Sequence, residues 1–414
     1  MNIIKKWCDS SLILRILLIG LVCGSLLGMY VPNLSGIGLL GDVFVGVLKA
    51  VAPLLVFFLV ASSLSGASSG FGGKFKICIA LYLLSMFCAA FVAVTMSFIF
   101  PVSFTLTQAA TATAPQSLGA VFSNFVLNMI ANPIEAISTG NYIAILLAAV
   151  VFGFCFRVVA HKHSLEFISD CAEAMTLFIR SFIQLAPFGV MGLVFKAVSE
   201  SGIEIFTVYG QVLLLIVASI LIVAFVTDPL ISGLTLRRNP YPLTLTCLKE
   251  SGITAFFTRS SAANIPINLG LCERLGLDKD FYSVSIPLGA TINMEGAAVT
   301  ITIMTLALCH TVGVGVSFPL ALGLCLISTI AACGVAAVPN GALLLIPMAA
   351  SLFGIGTDVA MQAVAVGFII SVIQDSFDTF INSSGDAIFS ATAEYYYRKK
   401  HGQEVNFLGE FAKK

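Results

Sequence analysis

The sequence predicts an all-α protein that crosses a lipid bilayer many times, and three observations carry that expectation. Of its 414 residues, 58% are hydrophobic and only 10% are Asp, Glu, Lys or Arg, whereas soluble domains are roughly a quarter charged. A soluble core cannot absorb that excess of apolar side chain, so the outside must face lipid. The apolar residues also gather in runs close to the roughly 20 helical residues that cross a hydrocarbon layer of about 30 Å. Finally, no lysine or arginine occurs from Phe281 to Tyr397, yet Glu295, Asp375, Asp378 and Asp386 fall in that stretch. Carboxylates at membrane depth without sequence partners are costly, and function is their default explanation.

Taken in order, apolar runs cover Leu12 to Tyr30, Val43 to Leu64, Ile77 to Phe100, Leu118 to Phe156, Leu177 to Val198 and Val208 to Leu230. Lys5 and Lys6 before the first run resemble the start of a signal peptide, but no small-residue cleavage site follows, so a retained first span is expected. The fourth run is too long for one crossing and is interrupted at Asn132, Pro133 and Asn141, which predicts a broken element with an extra short segment. Pro101 to Ser117 has no charge and fits an external loop. Basic residues cluster at Lys5 and Lys6, Lys74 and Lys76, Arg157 and Lys162, Arg237 and Arg238, and Arg398 to Lys400. If these mark the inner face, both chain ends are cytoplasmic.

The second half reads differently. Pro240 to Asp278 carries Arg259, Asn264, Pro266 and Asn268 and is too polar for a lipid-facing helix. Ile286 to Leu308 is interrupted by Asn293 and Glu295, and Phe318 to Leu352 by Gly334, Pro339, Asn340 and Gly341. Apolar stretches broken at a polar or Pro/Gly centre are the expected signs of re-entrant hairpins meeting near the midplane, because non-helical backbone at that depth must line an enclosed cavity.

Several functions are disfavoured. Twenty-one basic and 21 acidic residues leave no net charge, so no nucleic-acid partner is expected. The 11 cysteines form no C-x-x-C pair and read as small buried hydrophobes, without a disulfide framework. The four histidines are scattered, and no H-E-x-x-H or phosphate-cradling GxxxxGK sequence is present. The protein is therefore expected not to be an enzyme, and no cofactor is expected.

The most informative spacing is Asp375, Asp378, Thr379, Asn382 and Asp386, which at about 100° per residue form one narrow helical stripe. Three carboxylates, an amide and a hydroxyl suit a site for cations and ammonium groups, although a wetted pore wall or a polar seam between helices is also open. The segment Thr258 to Pro266, with Ser260 and Ser261, offers hydroxyls and free N–H groups at a helix start that can cradle a carboxylate. Arg259 is either the counter-charge of Asp375 or Asp378 or an interfacial residue that snorkels. Asn293, Met294, Glu295 and Gly296 suit an unwound helix whose carbonyls bind a hard cation, or a structural kink. Gly334 to Ala342 reads as a hairpin tip.

In order and wording these elements resemble the dicarboxylate/amino acid:cation symporter family, which includes the glutamate transporters. The resemblance spans essentially the whole chain and is strongest from Ala255 to Asp386. It implies a homotrimer in a bacterial inner membrane, each subunit with eight transmembrane helices and two re-entrant hairpins in an elevator fold. A scaffold would be drawn from about residues 10–70 and 118–200 and a transport domain from about 74–100 and 205–395, leaving 396–414 as a cytoplasmic tail. Carried over, Asp375 accepts the substrate ammonium, Asn382 and Thr379 help hold the amino acid, and the hairpin tips at Ser260 and Ser261 and at Ala337, Val338 and Pro339 hold its α-carboxylate. Asp386 with carbonyls of Gly289, Asn293 and Asn382 resembles one sodium site, and Thr291 with the second hairpin another. A third would use Tyr82, Ser85, Met86, Asn293 and Glu295.

Two departures from the family pattern shape the expected function. Members that take acidic amino acids carry arginine where this chain has Asp378. An aspartate there repels an acidic substrate and can accept a hydrogen bond from a hydroxyl, so serine and threonine are the expected substrates, carried inward with sodium. Met86 stands where a hydroxyl is usual and Glu295 where an aspartate is usual; a thioether is a poor ligand for a hard cation, so fewer coupled sodium ions are expected. A same-fold carrier of other neutral or acidic amino acids or dicarboxylates, and a passive channel, are the alternatives.

Overall fold

The computed structural model describes residues 12–34, 36–66, 73–106, 127, 130–333 and 340–413, and among these the ordered elements are all helical. Helix α1 (residues 12–30) is followed by α2 (Gly36–Gly66) and α3 (Gly73–Ile99). The broken fourth element is as expected. Asn132 caps α4 (Pro133–Thr139), Gly140 turns the chain at φ +70°, and the Asn141 side chain accepts from Ala144 N to start α5 (Tyr142–Val159).

The fifth apolar run needs correction. Leu177 to Val198 is not one straight span but the meeting of α6 (Lys162–Ile183) and α7 (Ala186–Ser201), bent by 59°. Glu166, Asp170 and Glu173 disguised the first half of α6, and Pro187 at the start of α7 cannot continue the preceding hydrogen-bond ladder.

Helix α8 (Ile205–Leu236) follows, then the first helical hairpin, α9 (residues 241–258) and α10 (Ser261–Arg274). A second broken pair, α11 (Lys279–Ile292) and α12 (Glu295–Thr311), is interrupted at Asn293 and Met294. Helices α13 (Phe318–Ala332) and α14 (Gly341–Ser351) flank residues 334–339, which lie outside the described residues together with most of the Pro101 to Ser117 segment. Helix α15 (Thr357–Lys400) is 44 residues long, about 66 Å at 1.5 Å per residue, and a short 3-10 turn ends the chain at Gly409–Lys413. Among the described residues, five helices are long and apolar enough to cross a membrane, or six if the bent α6–α7 pair is one span.

The helices pack in two groups. In the first, α2 lies against α5, α6 and α7, while α1 lies against α7. Small residues permit that last approach: a Cβ on Gly24 would stand 2.8 Å from the Met191 carbonyl oxygen, and one on Gly28 2.9 Å from that of Phe195. In the second, α15 is the axis, with α3, α9, α10, α11, α12 and α14 around it. Its inward stripe is polar while the faces on either side are apolar and buried, so the polar residues must find partners on the helices that surround them.

Candidate functional site

The first hairpin turns at Arg259, which adopts a left-handed conformation (φ +52°) as its N–H closes the last turn of α9 on the Ala255 carbonyl at 2.8 Å. Ser260 then caps α10 through its hydroxyl, which accepts from Ala263 N at 3.2 Å. This geometry sends the Arg259 guanidinium to α15, where Nε and Nη2 both reach Asp375 Oδ2 at 2.9 and 2.7 Å. The two side chains are only 8% and 12% exposed, so Arg259 is the counter-charge of Asp375 and not an interfacial residue. Asp375 Oδ1 is left with one long contact, 3.4 Å from the N–H of Asn340 on the far side of the second hairpin. The Asn340 side-chain oxygen in turn accepts from Arg259 Nη2 at 3.4 Å. Ser261 is buried at the start of α10. Ala337, Val338 and Pro339 lie outside the described residues.

One turn along the stripe, Asp378 accepts from Thr300 Oγ1 at 3.0 Å and from Gln374 Nε2. The remaining lone pairs of its two oxygens are what a substrate hydroxyl would use. The Thr379 hydroxyl donates to the Asp375 carbonyl of its own helix at 2.8 Å. Asn382 clasps the break between α11 and α12: its oxygen accepts from Gly296 N at 2.8 Å and its Nδ2 approaches the Met294 sulfur at 3.3 Å. Gly296 allows this closeness, since a Cβ there would meet the Asp378 Cβ and carbonyl oxygen at 2.8 Å.

Asp386 lies one further turn along and is 1% exposed. Its Oδ1 accepts from Asn293 Nδ2 at 3.2 Å, and a Cβ on Gly289 would be 2.6 Å from that oxygen and 2.7 Å from the Tyr82 hydroxyl. Gly289, Asn293 and Asp386 therefore converge, as the sequence reading expects of one cation centre. Tyr82 is turned toward that side, its hydroxyl 3.2 Å from the carbonyls of Ser285 and Asp386 and 3.0 Å from Ser390 Oγ. Ser85 Oγ donates to the Tyr82 carbonyl at 2.9 Å and stands 3.4 Å from Asn293 Oδ1. Met86 does not face an open site: its sulfur accepts the Met294 N–H at 3.2 Å. Thr291 is exposed and its hydroxyl bonds the Leu288 carbonyl of its own helix at 2.7 Å; residues 334–339 of the second hairpin, with which it was expected to form a separate site, lie outside the described residues.

Sequence reasoning missed three groups. Thr300 and Gln374 hold Asp378, but hydroxyls and amides in apolar helices are common enough to pass unmarked. Asp228, on α8, is fully buried and lies against Glu295. Its signal was a single acid followed by Pro229 within the run Val208 to Leu230. Pro229 leaves the Phe225 carbonyl without its helical donor, and the Tyr241 hydroxyl supplies one at 3.2 Å; a widened turn at Val223–Thr227 precedes Asp228.

At the end of the helix bundle, Lys74 bonds Asp278 at 2.8 Å and lies 3.6 Å from the buried Glu394, which also pairs with Arg398. The hydrogen bond from the Lys74 ammonium holds the Asp278 carboxyl below the usual carboxylate range. These ties fasten the starts of α3 and α11 to the end of α15.

A many-helix membrane protein with a buried stripe of acids, amides and hydroxyls, enclosed by a hairpin arginine and an unwound helix, has the chemistry of an ion-coupled carrier. The chain belongs to the sodium:dicarboxylate symporter family, whose model matches residues 12–395. It is 52% identical over 397 residues to the serine/threonine transporter SstT of Bifidobacterium adolescentis, covering 96% of this chain and 92% of that protein. It is 51% identical over 399 residues to the serine/threonine transporter SstT of Streptococcus thermophilus, covering 96% and 99%. The like-named protein of Streptococcus agalactiae is 51% identical over 393 residues, covering 94% and 97%.

Proposed function

We propose that the protein carries L-serine and L-threonine into the cell together with sodium ions. The observation that carries this reading is the pairing at Asp375. Arg259 occupies one carboxylate oxygen, while the other oxygen faces the second hairpin with a single long contact, which suits a substrate ammonium. Asp378, one turn away, puts a second negative group beside the same space, and that disfavours a substrate with an acidic side chain while accepting a hydroxyl. Asp386 with Asn293 and Gly289 is the expected sodium centre, and the family description and the names of the relatives support both cargoes.

The packing of α1, α2 and α4 to α7 mainly against one another, with a smaller contact to the group around α15, supports a scaffold from about residues 10–70 and 118–200 and a transport domain from about 74–100 and 205–395. On the same family grounds we read eight spanning helices with two re-entrant hairpins, an elevator motion, a homotrimer, a bacterial inner membrane and cytoplasmic termini. Uptake of labelled serine into proteoliposomes holding only this protein tests the function. Accumulation under an inward sodium gradient, blocked by excess threonine and not by glutamate, is expected. Accumulation driven by protons in place of sodium, or equilibration without accumulation, would overturn the coupling.

A further inference from the structure

We propose that the C-terminal segment from Val405 to Phe411 is a strap that clamps both roots of the first hairpin and restrains that hairpin from lifting off α15. Its importance for transport rests on the reading of the hairpin as one wall of the substrate site. Gly402, at φ +67°, follows the end of α15, and the chain then folds back over the end of the bundle. The hairpin joins the rest of the chain at two places, residues 237–240 before α9 and 275–278 after α10, and the strap reaches both. The Arg238 guanidinium lies over the Phe407 ring, 3.7 Å from its centroid, and the same ring packs on Tyr395 of α15 at 5.5 Å between centroids. The Arg274 guanidinium lies 4.9 Å from the Phe411 centroid and also pairs with Glu250 of α9 at 3.0 Å. Between the two rings Leu408 and Gly409 are both left-handed, at φ +70° and +48°. Glycine is required at the second position, because a Cβ there would stand 2.6 Å from the Leu275 carbonyl carbon and collide with the Arg274 carbonyl oxygen. Leu408 adopts its backbone at a steric cost, offset by the packing of Val405, Phe407, Leu408 and Phe411 on the apolar cluster at the base of the hairpin.

The face that the hairpin turns to α15 explains why a restraint at its roots matters. Ser251 Oγ and Asn268 Nδ2 both donate to the Ser383 carbonyl, at 3.2 and 2.9 Å, and Asn264 Nδ2 donates to Ser251 Oγ at 2.8 Å. These four residues are at most 1% exposed, yet among the described residues the side-chain oxygens of Asn264 and Asn268 and the Ser383 hydroxyl have no hydrogen-bond partner. Buried polar atoms without partners favour any state in which water reaches them, so the seam itself leans toward opening. The strap opposes that tendency where the two legs enter the bundle. Its own hold consists of two ring–guanidinium contacts and half-buried apolar side chains, so it can release locally while the rest of the bundle stays folded.

The hairpin carries its own reporters. Cys247 on α9 and Cys272 on α10 are free thiols, 0% exposed, in the cluster beneath the strap, while Cys309 on α12 and Cys325 on α13 are equally buried in the other cluster. Maleimide labelling of the purified full-length protein, followed at each cysteine by peptide mass spectrometry, separates hairpin opening from general loosening. In Phe407→Ala/Phe411→Ala, and independently in Gly409→Val, Cys247 and Cys272 are expected to react about tenfold faster than in the parent, with Cys309 and Cys325 unchanged. Phe407→Tyr/Phe411→Tyr keeps both rings and should keep the parent rates; labelling as fast as in the alanine variant would count against the ring contacts. Parent rates at Cys247 and Cys272 in both disrupting variants overturn the strap, and so does an equal rise at all four cysteines, which makes the segment a general stabiliser. Saturating serine with sodium should slow labelling in the disrupted variants by seating the hairpin tip on α15. A strap effect that persists without any response to serine would fault the substrate reading and not the strap.

Discussion

Replacing Arg259 by glutamine removes the only charge partner of Asp375 found among the described residues while keeping a side chain of related length. Both guanidinium contacts fall on Oδ2, at 2.9 and 2.7 Å, so the change leaves a carboxylate 12% exposed with one backbone contact at 3.4 Å. Breaking a fully buried pair costs about 3–5 kcal/mol; with a tenth of the surface wet, about 2–4 kcal/mol is the appropriate scale. Serine then delivers the only cation to that carboxylate. In the parent its ammonium must share Asp375 with the guanidinium, and two unit charges about 5 Å apart at an effective dielectric constant near 20 repel by about 3 kcal/mol. Arg259→Gln is therefore expected to be less stable than the parent without substrate and to gain more from saturating serine. Thermal unfolding of the purified protein with and without serine reads both effects. The double variant Arg259→Gln/Asp375→Asn, with no charge to compensate, should recover stability and lose the serine response. A single variant as stable as the parent without serine, or with no larger serine shift, would refute the argument that the pair is a closed charge account.

Three further outcomes follow from other contacts. Asp378→Asn removes the negative charge held by Thr300 and Gln374 and should let aspartate and glutamate compete with serine for uptake by about tenfold or more over the parent, as competition assays would show; unchanged rejection would shift the selectivity elsewhere. Gly296→Ala places a Cβ 2.8 Å from the Asp378 carbonyl oxygen, so one of two packed backbones must move, at a cost of about 1–3 kcal/mol or more; a lowered Tm together with lost uptake is expected, and an unperturbed variant contradicts the packing. Asp278 is held below its ordinary range by Lys74, so its pair contributes fully at neutral pH and is lost as pH falls below the usual aspartate value of about 3.9. Lys74→Met should flatten that acid limb in pH-dependent unfolding, and an unchanged limb would count against it.

How much of this was legible before the structure depended on contrast. The stripe from Asp375 to Asp386 stands out because acids and amides at helical spacing interrupt an apolar pattern, and the break at Asn293 and Glu295 stands out for the same reason. Asn132 and Asn141 marked the break whose two helices their side chains cap. Asp228 did not stand out, because one acid beside a proline near the end of an apolar run reads as a helix terminus; only the three-dimensional approach of α8 to α12 shows that it is buried against Glu295. The α6–α7 bend was hidden because both arms are apolar at their junction. Side-chain direction, which spacing along a single helix does not supply, separates these cases.

That directionality also explains how one helix can tie a substrate to an ion. Asn293 and Gly296 bracket the break between α11 and α12, and each is held by α15, Asn293 through Asp386 at 3.2 Å and Gly296 through Asn382 at 2.8 Å. On the transport reading, a sodium ion at Asp386 competes with Asn293 Nδ2 for the same carboxylate oxygen and draws in the Asn293 carbonyl, so it fixes the unwound segment. Gly296 follows because only Met294 and Glu295 separate it from Asn293, and its backbone packs directly on Asp378. An ion site and a selectivity residue two turns apart on α15 are thus joined twice, along their own helix and through the break facing it. Binding at either end biases the same short segment, and the coupling must be reciprocal: sodium should raise serine affinity by the same factor that serine raises sodium affinity. Cutting the second connection with Asn382→Ala should reduce both factors together in paired binding titrations, whereas a loss of serine affinity alone would make Asn382 a substrate contact without a part in the linkage.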